Sequence, residues 1–158
     1  MIDAITSFIY SLDPWVILAI FAITPFGEAR ASIIYGIAAG LSPFYVLVVS
    51  VALNILVVIP LLFFLRQKLV MDFIHYIMGR RITKLVEKNR EKFEVYEEFA
   101  LFGFVAIPAV GTGAWTGALL STVLGLNPKK SFLVIAAGVI AVGTIVFLGA
   151  NGFMYLIR

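Results

Sequence analysis

Thr24-Pro25-Phe26-Gly27-Glu28-Ala29-Arg30 cuts the first apolar run of the chain into two short pieces. Pro108-Ala109-Val110-Gly111-Thr112-Gly113 does the same to a later run. Ahead of the cuts stand Trp15 to Ile23 and Phe99 to Ile107. Behind them stand the small-residue-rich stretches Ala31 to Gly40 and Ala114 to Val123. Each of these meets a matching stop, Gly40-Leu41-Ser42-Pro43 and Gly125-Leu126-Asn127-Pro128. Gly followed closely by Pro is the signal of a helix C-terminus. A long apolar stretch follows each stop, Phe44 to Leu65 and Phe132 to Ile157. The same order therefore occurs twice and reads as an internal repeat.

Length decides what these pieces can do. A helix needs about 20 apolar residues to cross a bilayer, and only the two long stretches have them. A half-helix of about 10 residues covers about 15 Å, half of the hydrocarbon core. The short pairs are therefore expected to be re-entrant hairpins that turn at the Pro/Gly break and return to their own side. With one crossing per half, the second repeat is inverted relative to the first. Interrupted apolar segments at matching positions in two halves point to a transporter's substrate site. The expected fold is an all-α integral membrane protein with two inverted repeats. Each repeat is a re-entrant helical hairpin followed by a transmembrane helix, and a cytoplasmic amphipathic helical linker joins them.

Composition agrees. The chain has 158 residues, 62% hydrophobic and only 13% charged, with a mean hydropathy of +1.07. Average proteins are nearer half apolar and a quarter charged, so the excess apolar surface is expected to face lipid. There is no cysteine, which excludes disulfides, thiolate metal sites and a catalytic thiol. Residues 1–15 carry Asp3 and Asp13 instead of a basic region, so no cleavable signal peptide is expected. One membrane domain is expected over 1–158, as a first repeat at 1–65, a charged linker at 66–98 and a second repeat at 99–158.

In the linker, Ile82, Leu85, Val86, Phe93 and Tyr96 recur at helical spacing among Lys84, Lys88, Glu87, Glu91 and Glu94, an amphipathic pattern. The hairpin topology puts 66–98 and Lys129-Lys130 on one side, with ten of the twelve Lys and Arg residues. By the positive-inside rule that side is cytoplasmic, in a multi-pass protein of the cell membrane. The linker suits contact with anionic lipid headgroups. Nucleic-acid binding is not expected, because its acidic residues nearly balance the basic ones.

Glu28 and Arg30 are the sharpest functional signal. Ionisable groups inside a membrane cost about 2.5–3.5 kcal/mol or more each and mark pathways by default. A second reading is a structural pair that satisfies the broken backbone, and both stand at this stage. Arg30 keeps its charge and would serve as an anion clamp. Glu28 can take up a proton, which would couple transport to protons or release Arg30 for substrate. The second break offers backbone and hydroxyl groups without charge, in Gly111-Thr112-Gly113. Pro25 and Pro108 suit the first turn of the returning helices, and Thr24 and Thr112 suit their caps. Two helix N-termini aimed at one point would favour an anion. The glycines alternatively serve only close packing. Asn54 and Asn151 are expected to bond between helices, Trp115 to line a solute or to pack, and Trp15, Tyr45 and Tyr155 to anchor at the interface. His75 stands alone, which makes neither a metal site nor a triad.

Pro25-Phe26-Gly27-Glu28-Ala29-Arg30 resembles the Pro-x-x-Glu-x-Arg element of the small multidrug export protein family. The stretch Ile107-Pro108-Ala109-Val110-Gly111-Thr112-Gly113-Ala114-Trp115-Thr116-Gly117-Ala118 is similar to that family's second element. The family in turn resembles the DedA-like (VTT) superfamily, which implies paired re-entrant hairpins and, for some members, movement of polyprenyl phosphate lipids. The expected function is a transporter or flippase moving an amphipathic solute, lipid phosphate or drug-like compound, by alternating access. Its substrate-binding residues would be Pro25, Gly27, Glu28, Arg30, Pro108, Gly111, Thr112, Gly113, Trp115 and Thr116, with no cofactor or metal. The alternative is a non-transporting membrane scaffold with the linker as docking helix. An intramembrane enzyme is not expected, since no metal set, nucleophile–His pair or aspartate pair is present. Two hairpins and two spans offer little protein to shield polar breaks from lipid. A homo-oligomer packed on the small-residue faces at Ala31 to Gly40 and Gly138 to Gly149 is therefore expected.

Overall fold

The computed structural model describes residues 12–72, 76, 96–109 and 111–157. All regular structure among them is helical. The principal helices are α1 (Pro14–Ile23), α2 (Glu28–Ala38), α3 (Pro43–Leu65), α4 (Ala114–Val123) and α5 (Pro128–Ile157), with a further helical segment at 96–106. The amphipathic pattern from Ile82 to Phe93, together with His75 and Val110, lies outside the described residues. The chain packs as two compact units, Met1–Asn54 with Val142–Arg158, and Ile55–Ala141. The division falls inside α3 and inside α5.

In the first unit, α1 starts where Asp13 Oδ1 accepts from the Trp15 amide at 2.8 Å and Pro14 opens the helix without a wasted donor. It stops at Thr24, whose backbone is extended (φ −86°, ψ 150°), because a residue before proline is pushed out of the helical region. α2 then runs back along α1. The turn glycine Gly27 sits on the Phe21 backbone, and further along Ser32 Oγ donates to the Leu18 carbonyl at 3.0 Å.

α3 closes this pair with a polar seam. Ser50 lies 2.6 Å from the Ser32 hydroxyl, and Asn54 Nδ2 donates to the Ala22 carbonyl at 2.8 Å. Asn54 is fully buried. Ala22 stands near the end of α1, where carbonyls lack an intrahelical partner, so Asn54 caps one helix from another. That is the interhelical role expected for it. Asn151 differs, donating to the Phe147 carbonyl of its own helix at 3.1 Å.

Both Gly-Leu-x-Pro stops take the same local form. Leu41 N donates to Gly36 O at 3.0 Å and Gly40 N to Ile37 O at 3.1 Å. Eighty-five residues later, Leu126 N donates to Ser121 O at 2.9 Å and Gly125 N to Thr122 O at 3.0 Å. These are Schellman closures, with φ of +76° at Gly40 and +69° at Gly125. In each case proline then opens the next helix. Asn127 Oδ1 accepts from Lys129 N at 3.0 Å, so α5 begins four residues before the apolar run expected from Phe132. Lys129 and Lys130 stand in its first turn instead of preceding it.

α3 has 23 residues and α5 has 30. Along α3 the buried positions Val46, Ser50, Asn54, Val58 and Leu62 recur every fourth residue, leaving Phe44, Val48, Leu56, Ile59, Phe63 and Phe64 exposed. Only 33% of the apolar span in α3 and 28% of that in α5 is buried, whereas the core helix of a soluble protein is mostly covered. Exposed apolar surface of this extent belongs against lipid. Trp15 and Tyr45 are among the exposed aromatics.

The small-residue faces are used within the chain. A Cβ on Gly36 would meet Val46 at 2.7 Å and Leu18 at 2.8 Å, one on Gly143 would meet Val51 at 2.7 Å, and one on Gly138 would meet Val105 at 2.7 Å. These three glycines are filled from within the chain, whereas Gly40 and Gly149, at the ends of the two faces, have open space beside them.

Replacing Asn54 by Leu strands the Ala22 carbonyl. Stability measured by reversible unfolding in detergent is expected to fall by about 1–3 kcal/mol. Asn151→Leu, which removes a bond inside one helix, is expected to change it by about 0.5 kcal/mol or less.

Candidate functional site

The first break brings Pro25, Gly27, Glu28 and Arg30 into one turn. Gly27 is required by space: a Cβ there would lie 2.6 Å from the Phe21 carbonyl oxygen and 3.0 Å from its Cα, and backbone cannot step aside as a side chain can. Gly27 is also the cap of α2 and supplies no side-chain acceptor. Neither Pro25 nor Thr24 takes the position expected for it. Pro25 lies exposed in the turn, ahead of the cap. Thr24 Oγ1 donates backward to the Phe21 carbonyl at 3.3 Å, closing α1. The first helical residue of α2 is Glu28, so Glu28 and Arg30 enter the break from the first turn of the helix that follows it. Phe26 between them and Pro25 is 99% exposed.

Glu28 is unusual in two respects. It is buried, at 9% exposure, and its φ is +52°. Among the described residues no other non-glycine has a positive φ. The left-handed region costs an ordinary residue roughly 1–2 kcal/mol, and such strain gathers at functional sites. The Glu28 amide donates to the Thr24 carbonyl at 3.1 Å, which holds the strained residue over the end of α1. The Glu28 carboxylate and the half-buried Arg30 guanidinium interact electrostatically. Residues two apart on a regular helix do not face each other. The left-handed turn at Glu28 departs from that regular geometry.

The second break holds Pro108, Gly111, Thr112, Gly113, Trp115 and Thr116, all in the other compact unit. Pro108 and Gly111 are exposed. Pro108 lies six residues before α4 instead of in its first turn. Thr112 does not cap α4 either. Its single hydroxyl proton is shared between the carbonyls of Ile107 at 2.8 Å and Ala109 at 2.9 Å, which closes the preceding helical segment. Gly113 is the cap, in extended backbone (φ 179°), and its amide donates to Thr116 Oγ1 at 3.0 Å. Trp115 is half-buried in the first turn of α4. Gly117 seats Val105 of the helical segment 96–106, since a Cβ there would come within 2.7 Å of it. Both threonine hydroxyls thus have backbone duties. Thr112 keeps lone pairs free to accept, but its proton is committed.

Sequence reading missed a polar cavity of about 480 Å³ at the Gly125–Pro128 corner, lined among others by Arg66, Glu97, Glu98, Asn127, Lys130 and Ser131. Lys130 Nζ lies 2.9 Å from Glu98 Oε1, and Arg66 donates to the Leu126 carbonyl. Arg66, Glu97 and Glu98 read as linker charges in the sequence and Lys130 as an interruption of the second apolar half, and only the corner in the backbone draws them together.

Paired short helices, two helices long enough to cross a bilayer and a strained, buried carboxylate beside an arginine define a helical membrane protein with a charged break. The family model described as "putative small multi-drug export protein" matches residues 28–145, well over half of the chain. The protein belongs to that family. No curated protein and no solved structure matches it significantly.

Glu28→Gly and Glu28→Ala remove the same carboxylate, but only glycine accepts φ of +52° without strain. Thermal unfolding in detergent is expected to rank Glu28→Gly above Glu28→Ala by about 1 kcal/mol. Equal stabilities would show that the backbone at 28 is not strained.

Proposed function

We propose that this protein moves an amphipathic solute across the cell membrane by alternating access between two inverted halves, with Glu28 and Arg30 at the centre of the substrate site. One observation carries the reading. A buried carboxylate, held in a left-handed backbone, sits two residues from an arginine at the start of an 11-residue helix in an otherwise apolar stretch. Membership of an export family supports transport over a purely structural role.

The pair gives the site two states. With Glu28 ionised, its carboxylate serves Arg30 and the N-terminal end of α2, where negative charge is favoured. With Glu28 protonated, both are released to the head of an anionic solute, and Arg30 supplies the permanent charge. The ionised Glu28 carboxylate and the anionic solute then compete for Arg30, so proton uptake favours anion binding, which couples their movement. A lipid phosphate fits this exchange better than a drug-like cation, which would need Glu28 ionised and Arg30 answered by another group.

In this reading the α1–α2 pair and its counterpart around 107–113 are re-entrant, as the resemblance to DedA-like proteins implies, and the end carrying Arg66, Lys129 and Lys130 is cytoplasmic. The exposed Phe26 beside Glu28 would be covered by a second copy, since two crossing helices shield little of the break from lipid.

Native mass spectrometry from membranes, with a polyprenyl phosphate and with a lipophilic cation, tests the substrate class. The wild type is expected to bind the phosphate, Arg30→Ala to lose at least about tenfold in affinity, and Glu28→Gln to bind with reduced dependence on pH. Cation binding lost in Glu28→Gln would indicate a drug exporter. A folded wild type that binds neither would favour the scaffold.

A further inference from the structure

We infer that an anionic membrane phospholipid binds in a groove at the Arg66 and Lys129 ends of α3 and α5, with its acyl chain along the groove and its phosphate between the two cations. The groove has a volume of about 610 Å³ and is walled by Ile59, Leu62 and Phe63 of α3 and Phe132 and Leu133 of α5. This volume lies in the range of small-molecule sites, about 300–1,000 Å³. Leu62 forms a buried floor, while Phe63 and Leu133 stand exposed. The body of the groove is apolar, and its polar members, Arg66 and Lys129, immediately follow the end of α3 and open α5. An apolar slot ending in positive charge where two spans meet the interface has the shape and polarity of one lipid with a negatively charged head.

Charge complementarity supplies the choice of lipid. No carboxylate lines the groove. Lys130 is answered by Glu98, but no carboxylate among the described residues forms an ion pair with Arg66 or Lys129. Partial burial pushes the Arg66 guanidinium below its ordinary value by desolvation, and an arginine remains cationic all the same. Its bond to the Leu126 carbonyl fixes it beside the start of α5. Lys129 is positioned by its own amide, bonded to Asn127 Oδ1. The first turn of α5 also has no acidic residue. Two lysines there oppose the preference of a helix N-terminus for negative charge, and an external anion would relieve that opposition. A zwitterionic head offers no net charge to this end of the groove.

The site is separate from the charged break, so its test does not depend on the transport reading. The full chain is placed in nanodiscs of phosphatidylcholine doped with phosphatidylglycerol, and the lipids retained after gentle extraction are counted by native mass spectrometry. The wild type is expected to retain phosphatidylglycerol preferentially, by about fivefold for each cation. Lys129→Gln, an exposed substitution, should remove about one such factor, and Arg66→Gln with Lys129→Gln should bring the two lipids to parity. Leu133→Trp, which fills the groove, should reduce retention of both. Raising salt should weaken the preference, and Arg30→Ala should leave it unchanged. A wild type without preference would overturn the assignment, as would a preference untouched by Lys129→Gln or one that disappears with Arg30→Ala.

Discussion

Every helix that ends away from water must have its last backbone groups closed by something the protein carries. This chain breaks its helices repeatedly and meets that demand at several of the breaks. The Schellman closures at Gly40 and Gly125 use the backbone itself. Asn54 reaches from α3 to the Ala22 carbonyl, Thr112 folds its hydroxyl onto the segment before it, and Thr116 holds the Gly113 amide. An unpartnered peptide group in an apolar setting costs several kcal/mol, which is why so many of the few polar side chains in the apolar regions are bonded to carbonyls or amides.

The charged break departs from this economy. At Gly27 the cap supplies no acceptor, and the next residue, Glu28, brings a carboxylate into a buried, left-handed position. A serine or aspartate, the usual cap, cannot stand at 27, because a Cβ there would meet the Phe21 backbone. Asymmetry between the two breaks follows: one carries a charged pair and a strained backbone, the other only hydroxyls and glycines in ordinary duties.

Much of the fold was legible because punctuation is local. Pro25 forces Thr24 out of the helix, Gly40 and Gly125 provide the left-handed turn, and the run from Phe44 to Leu65 is long enough to cross a bilayer whatever surrounds it. Start points were less legible. α5 begins at Pro128 because the Asn127 side chain caps it, and two lysines in a first turn look like an interruption when only hydropathy is read. The candidate residues were legible as types, since Glu28 and Arg30 stand out in apolar sequence. Their backbone was not, because nothing in Gly27-Glu28 says which residue takes the positive φ. The roles of Thr24, Thr112 and Thr116 were also hidden: a threonine near a break can close the helix behind it or the one ahead. The Ser32–Ser50 contact and the Arg66 bond to Leu126 depend on partners 18 and 60 positions away, beyond the reach of any local pattern.

The two long helices are unequal, and a bilayer would register the difference. At about 1.5 Å per residue, the 23 residues of α3 measure roughly 35 Å and the 30 residues of α5 roughly 45 Å, against a hydrocarbon core of about 30 Å. α3 matches that thickness with a slight tilt. α5 does not, and must lean further or lift its first turn, with Lys129 and Lys130, out of the hydrocarbon. A thicker membrane favours one posture and a thinner membrane the other. The longer helix thus carries length to spare for membranes of different thickness, which the shorter one does not.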